Sequence, residues 1–140
     1  MMAAGPLAMT KSLEDYLEAI HRQVRVGGSA RVVDIANALG VKMPSVNNAV
    51  RELAALGLID HTPYQQLHLT AEGERVAIDI YRRHTLLKDF LMAIGVSEVN
   101  AEADACSMEH VLSPETLERL AEATARLRID EGRATPSHVD

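Results

Sequence analysis

Residues 30–58, ARVVDIANALGVKMPSVNNAVRELAALGL, decide the fold. Val32, Ile35, Ala36 and Leu39 recur at the spacing of one helical face, and Gly40 closes that short helix. A second helix opens near Met43-Pro44 and carries Val46, Val50 and Leu53 on its inner face. Ala36 stands four residues before Gly40 and Val46 six after it, which is the plan of a helix-turn-helix. The small residue lets the helices approach, the glycine takes the tight turn, and the branched residue plugs the junction. The helix from Met43 is therefore the expected recognition helix.

Working outward, Leu13, Tyr16, Leu17, Ile20 and Val24 form a helical stripe from Lys11 that stops before Gly27-Gly28. Downstream, Leu58-Ile59-Asp60-His61 and Leu67-His68-Leu69 flank the loop Thr62–Gln66 as two short strands, a wing. Thr70 can cap a long helix whose inward line runs Val76, Ile80, His84, Leu87, Leu91 and Ile94 before Gly95. Ser97 opens a fifth helix with Val99, Ala103, Cys106 and His110 on one stripe, and Ser113-Pro114 opens a sixth with Leu117, Leu120, Ala121 and Leu127. The last two helices are too few to close a core alone, so they are predicted to dimerise, with the end of the fourth, around a shared apolar surface. The expected fold is mostly α, an N-terminal winged helix-turn-helix followed by a helical dimerisation domain. Its expected bounds are a flexible N-terminus at 1–10, the DNA-binding domain at 11–75, the metal-binding and dimerisation domain at 76–130, and a flexible C-terminus at 131–140.

With 140 residues, 47% hydrophobic, the chain suits one core, or a winged-helix unit and a smaller helical extension, and leaves no room for a large catalytic domain. Aromatic content of 3% with no Trp favours helices packed on helices. One cysteine, Cys106, and no basic stretch before an apolar run indicate neither disulfides nor a secretory signal, so the cytoplasm is expected. No apolar run approaches the roughly 18 residues that a membrane-spanning helix needs. The net charge of −6 is uneven: residues 1–84 carry nine Lys+Arg against nine Asp+Glu, and 85–140 carry five against eleven. The deficit lies wholly in the C-terminal part, so it does not exclude a DNA-contacting face near the start.

On the recognition helix the outward positions are Ser45, Asn47, Asn48 and Arg51. Asn pairs with adenine and Arg with guanine in the major groove, and Ser suits phosphate or base edges. Arg31 and Lys42 are expected phosphate contacts, and the wing tip Tyr64-Gln65-Gln66 reaches backbone or minor groove. A different chemistry is carried by Asp15 and Glu18, three apart on the first helix, by His84 within the apolar line of the fourth, and by Cys106, Glu109 and His110 on the fifth. Three carboxylates, two imidazoles and one thiol can donate to a transition metal. Unpaired carboxylates brought together would repel, and a cation removes that penalty.

With these residues in view, SLEDYLEAI, ARVVDIANALGV, LGLIDHTPYQQLHLTAEGERVA, RRHTLLKDFL, IGVSE and CSMEHVLSPETLERL resemble the metal-dependent repressors related to the diphtheria toxin repressor, and within them the short manganese transport regulators. The resemblance runs from about Lys11 to Arg128. It implies that Asp15, Glu18, His84, Glu109 and His110 sit where manganese-type members hold their metals. Those members commonly have a glutamate where Cys106 stands, whereas iron-type members have a cysteine there and a methionine in place of Asp15. Carboxylates suit Mn2+ and a thiolate favours Fe2+ or Zn2+, so the metal signature is mixed. Lys88 stands where the ancillary site of iron-type members has an acidic ligand, against a second site of that kind. The chain resembles the short form, ending near where longer members continue into an SH3-like domain.

The function so implied is a repressor that binds operator DNA as a homodimer when loaded with Mn2+ or Fe2+, and controls metal-uptake genes. Metal would set the separation of two recognition helices, which must be about 34–36 Å apart to enter successive major grooves. The alternatives are a metal-independent winged-helix regulator sensing a small molecule or, through Cys106, redox state, and a helical metalloenzyme. Against the enzyme, a di-iron bundle wants a pair of Glu-x-x-His units and this chain has one, Glu18 with His21.

Overall fold

A threonine hydroxyl starts the first helix. Thr10 Oγ1 accepts the Leu13 amide at 3.1 Å, and α1 runs Lys11–Gly27 from that cap. The structure, a computed structural model, describes residues 9–60 and 66–134. Thr10 and Met9, which the sequence reading assigns to a loose N-terminus, are thus part of the ordered unit, Met9 packing against the core. The remaining elements are α2 (Val32–Leu39), α3 (Met43–Ala55), β1 (Ile59–Asp60), β2 (His68–Leu69), α4 (Ala71–Ala93), α5 (Glu98–Met108) and α6 (Pro114–Ala134). Two compact units divide the chain, residues 1–80 and 81–140, and α4 runs through the division.

In the first unit α1, α2 and α3 enclose Leu17, Ile20, Ile35, Val46, Val50 and Leu53, all fully buried. Each such side chain contributes roughly 1.5–3 kcal/mol by leaving water. Between α2 and α3, Gly40 sits at φ +68 and the Val41 amide reaches the Ala36 carbonyl at 3.0 Å, closing the turn at the glycine expected from sequence. Lys42 is the N-cap of α3 without a side-chain capping bond, and Pro44 occupies the first turn, where a missing N–H costs nothing.

The wing is an antiparallel pair, Ile59 opposite Leu69 and Asp60 opposite His68. Ala30 and Leu67 exchange backbone hydrogen bonds of 3.3 and 2.7 Å, so the segment entering α2 extends this small sheet. Thr70 joins the wing to α4: its Oγ1 accepts the Gly73 amide at 3.0 Å and donates to the Gly57 carbonyl at 2.6 Å. Gly73 lies so close to Leu58 that a Cβ there would stand 1.9 Å from the Leu58 carbonyl oxygen.

The second unit contains the rest of α4 with α5 and α6. Ser97 caps α5 and Ser113 Oγ accepts the Thr116 amide at 3.2 Å in the first turn of α6. Leu87, Ala101 and Ala105 are fully buried. Two sequence expectations are corrected here. Ile94 lies past the last residue of α4 and is 53% exposed, because the helix ends at Ala93 and the chain turns away from the inward line. The inner line of α5 is Ala101, Ala105 and Glu109, not the stripe from Val99, which is 79% exposed. Alanines are small enough to let helices approach, so the buried face is the one with least apolar bulk, and side-chain size misleads a periodicity reading. On α6, Leu117, Leu120, Ala121 and Leu127 are half-buried, and the helix continues to Ala134.

Candidate metal centre and DNA-reading helix

His84 projects from α4 toward α5 and is 5% exposed. Its Nδ1 lies 2.9 Å from Glu109 Oε1 and its Nε2 lies 2.9 Å from Glu102 Oε2. The hydrogen bond that His84 donates to Glu109, then that to Glu102, overcome the cost of burial and push the His84 pKa up to about 9. Glu102 is itself drawn below the ordinary carboxylate value by His84 and Lys88, against the opposing effect of its burial. Lys88 Nζ stands 3.2 Å from Glu102 Oε1 and 3.4 Å from Glu98 Oε2. Cys106 completes a group with His84 and Glu102 in which one donor atom from each lies within 4.8 Å of the others.

Glu109 is the C-cap of α5 and only 1% exposed. Its Oε1 serves His84, while among the described residues Oε2 is buried without a hydrogen bond, with His110 Nε2 3.4 Å away. An ionised carboxylate oxygen buried in this way is costly unless a cation meets it. Imidazole, carboxylate and thiol donors fit a divalent transition ion, and His84 with one nitrogen fixed by Glu109 has the arrangement in which a second carboxylate orients a ligating histidine. Of the residues singled out from sequence, His84, Cys106, Glu109 and His110 all belong to the second unit. Asp15 and Glu18 belong to the first: Asp15 is half-buried with Lys11 Nζ at 3.5 Å, and Glu18 is buried with Arg22 Nη2 at 3.3 Å.

Sequence reasoning missed Glu102. The signal was present, since Glu102, Cys106 and Glu109 are four and seven residues apart on one helical face.

On the DNA-reading side, Ser45, Asn48 and Arg51 are exposed on α3 and Asn47 is half-buried. Arg51 donates to Asn48 Oδ1, so two base-reading candidates share one exposed patch. Arg31 and Lys42 are exposed at the N-caps of α2 and α3. Gln66 is exposed and accepts from Ser29 Oγ at 2.7 Å; Tyr64 and Gln65 lie outside the described residues.

A second buried histidine gives a pH test. Burial lowers the His21 pKa, helped by Arg25 and opposed by Glu74. Its neutral form contributes stability above the ordinary value of 6.5 that is lost as pH falls through the lowered one. His84 has the opposite sign: its imidazolium contributes fully below 6.5, and that contribution is lost as pH rises through about 9. Stability of metal-free protein against urea should therefore weaken as pH falls below 6.5 toward the lowered His21 value and as it rises through about 9. His84→Gln should flatten only the alkaline limb, and an alkaline limb unchanged in that variant would refute the pairing.

A winged helix-turn-helix followed by a helical unit carrying clustered imidazole, carboxylate and thiol donors defines a metal-responsive DNA-binding regulator. The family models agree: "Iron dependent repressor, N-terminal DNA binding domain" matches residues 8–67, and "Iron dependent repressor, metal binding and dimerisation domain" matches residues 70–134. The chain belongs to the iron-dependent repressor family.

Its relatives are regulators of transcription, not enzymes. The chain is 43% identical to the transcriptional regulator MntR of Escherichia coli O6:H1 over 76% of this chain and 68% of that protein. It is 38% identical to the HTH-type transcriptional regulator MntR of Geobacillus kaustophilus over 89% and 88% of the two chains. Among solved structures, it resembles IdeR of T. acidophilum at 29% identity and TM-score 0.72, covering 80% of this chain and 53% of that one. The manganese regulator SloR is similar at 29% identity and TM-score 0.70, covering 81% and 54%. The chain thus spans about half the length of these solved relatives. Among the described residues no helix is long and apolar enough to cross a membrane.

Proposed function

We propose that this protein is a cytoplasmic repressor that binds operator DNA as a homodimer when loaded with Mn2+ or Fe2+, and that it controls genes for metal uptake. The observation that carries the reading is Glu109, a buried carboxylate with one oxygen on His84 and the other without a hydrogen bond, in the stretch matching the metal-binding domain model. Manganese regulators among the similar solved structures support the choice of metal.

Asp15, Glu18, His84, Cys106, Glu109 and His110 make up the proposed ligand set. When bound, the cation supplies the positive charge that lets these carboxylates share one centre. Glu109 holds the His84 ring by Nδ1, leaving Nε2 to ligate. Asp15 and Glu18, carried by α1, couple the state of the centre to the DNA-binding unit. Ser45, Asn47, Asn48 and Arg51 then read bases, while Arg31, Lys42 and the wing residues Tyr64, Gln65 and Gln66 hold phosphate or the minor groove. The domain bounds proposed are 11–75 for DNA binding and 76–130 for metal binding and dimerisation. A cation that prefers the DNA-competent arrangement raises operator affinity by the ratio of its affinities for the two arrangements, typically about 5- to 150-fold.

Anaerobic fluorescence anisotropy at fixed salt tests this, without metal and with Mn2+, Fe2+ or Zn2+. A gain of at least about tenfold, lost in Glu109→Ala, is expected. Tight binding regardless of metal would leave a metal-independent winged-helix regulator.

A further inference from the structure

We infer that Asn48 and Arg51 read DNA as one unit that only donates hydrogen bonds. The unit selects a guanine beside a second guanine or a thymine, and rejects the adenine that an asparagine by itself would choose. The inference rests on reading α3 as the recognition helix.

The bond between the two side chains carries it. Arg51 Nη2 donates to Asn48 Oδ1 across one turn of α3, and both residues are exposed. A guanidinium has only N–H donors and no acceptor, so the Asn48 atom that faces it is the amide oxygen and not the nitrogen. Its positive charge makes this the stronger kind of hydrogen bond. An asparagine recognises adenine with both ends at once, the oxygen accepting from N6 and the nitrogen donating to N7. Here the oxygen is already held by a cation. An adenine N6 amino group brought to it would meet the guanidinium N–H groups, donor against donor. Asn48 therefore offers its Nδ2 hydrogens, which suit the acceptors of guanine or thymine O4. The other N–H groups of Arg51 remain for the two-bond contact with guanine O6 and N7.

The place of the pair on α3 fits this role. Val46, Ala49, Val50 and Leu53 are buried and define the inner face. At 3.6 residues per turn, Pro44, Asn48, Arg51 and Ala55 form the line directly opposite, and all four are exposed. Pro44 and Ala55 have no side-chain hydrogen-bonding group, so Asn48 and Arg51 are the residues on that line that reach a base edge through hydrogen bonds. They stand about 4.5 Å apart along the helix axis, close to the roughly 3.4 Å between base pairs, so one pair spans two neighbouring bases. The bond also orders both side chains before DNA arrives, which reduces the freedom lost on binding.

Selection of binding sites from a pool of random duplex DNA by the full chain with Mn2+, read by sequencing, tests the unit. Wild type should enrich guanine at one position of the site and guanine or thymine next to it. Asn48→Ala should relax the second position. Arg51→Ala should relax the first and, by freeing Asn48 Oδ1, turn the second to adenine, a switch that a merely structural role for Arg51 would not produce. In fluorescence anisotropy, each preferred base should bind about 5- to 150-fold more tightly than its replacement, the range for a good base contact. Three results would overturn the unit: adenine in wild type at the position that Asn48→Ala relaxes, an Arg51→Ala protein that gains no adenine, or a selected sequence that neither variant changes. In the last case a change caused by Ser45→Ala or Asn47→Ala would keep α3 as the reader, whereas no enriched sequence at all would remove that reading too. Sites selected equally after chelation of the metal, with the Arg51→Ala switch intact, would defeat the corepressor mechanism and leave the unit standing.

Discussion

Gly73→Ala should leave the DNA-binding unit unfolded or severely weakened. The added methyl carbon would stand 1.9 Å from the Leu58 carbonyl oxygen and 2.8 Å from the Leu58 carbonyl carbon, both backbone atoms. That carbonyl also accepts the Thr70 amide at 3.1 Å, and the Leu58 amide donates to Leu53 at 3.0 Å, so neither side of the contact can move without breaking the joint between α3, the wing and α4. Replacing an interior helical glycine by alanine normally stabilises by about 1 kcal/mol. Here the overlap is far larger than that gain, and a loss beyond about 3 kcal/mol is expected, lowering Tm by roughly 10 °C or more. Gly27→Ala is the internal control, because nothing lies within 4 Å of a Cβ at that position. A Gly73→Ala protein melting with wild type would show that the close approach does not exist.

Glu109→Gln should lower metal affinity by about 10- to 100-fold, the usual effect of losing a carboxylate at or next to a metal-binding histidine. The amide keeps the shape but withdraws the charge from both its neighbours. In metal-free protein the same change should bring the His84 titration down from about 9, since the Glu109 hydrogen bond is the largest cause of the raised value. Nuclear magnetic resonance titration of the His84 ring reads this second effect without any metal. A His84 midpoint and a Mn2+ affinity both equal to wild type would remove Glu109 from the centre.

The DNA-binding half was legible because its logic is local. Ala36, Gly40 and Val46 mark a turn whose demands on size and backbone sign are met by single residue types, and Gly28 marks the end of α1 by backbone capping, whereas the Thr10 cap was read as loose chain. Reading α5 failed for the converse reason. With alanines inside and Val99 outside, the apolar pattern no longer tells which face is buried, since packing distance and not hydrophobicity decides it. His84, Cys106, Glu109 and His110 could be named from sequence because residue type announces donor chemistry.

What sequence by itself determined is the order of helices, the helix-turn-helix, the wing and the kinds of donor atom, all set by spacing within a few residues. What only the tertiary structure decided is which atoms meet: Glu102 on His84, Lys88 behind Glu102, and Gly73 against Leu58. These pairs are separated by 14 to 18 residues, and such contacts depend on how helices and strands pack, which no short-range periodicity encodes.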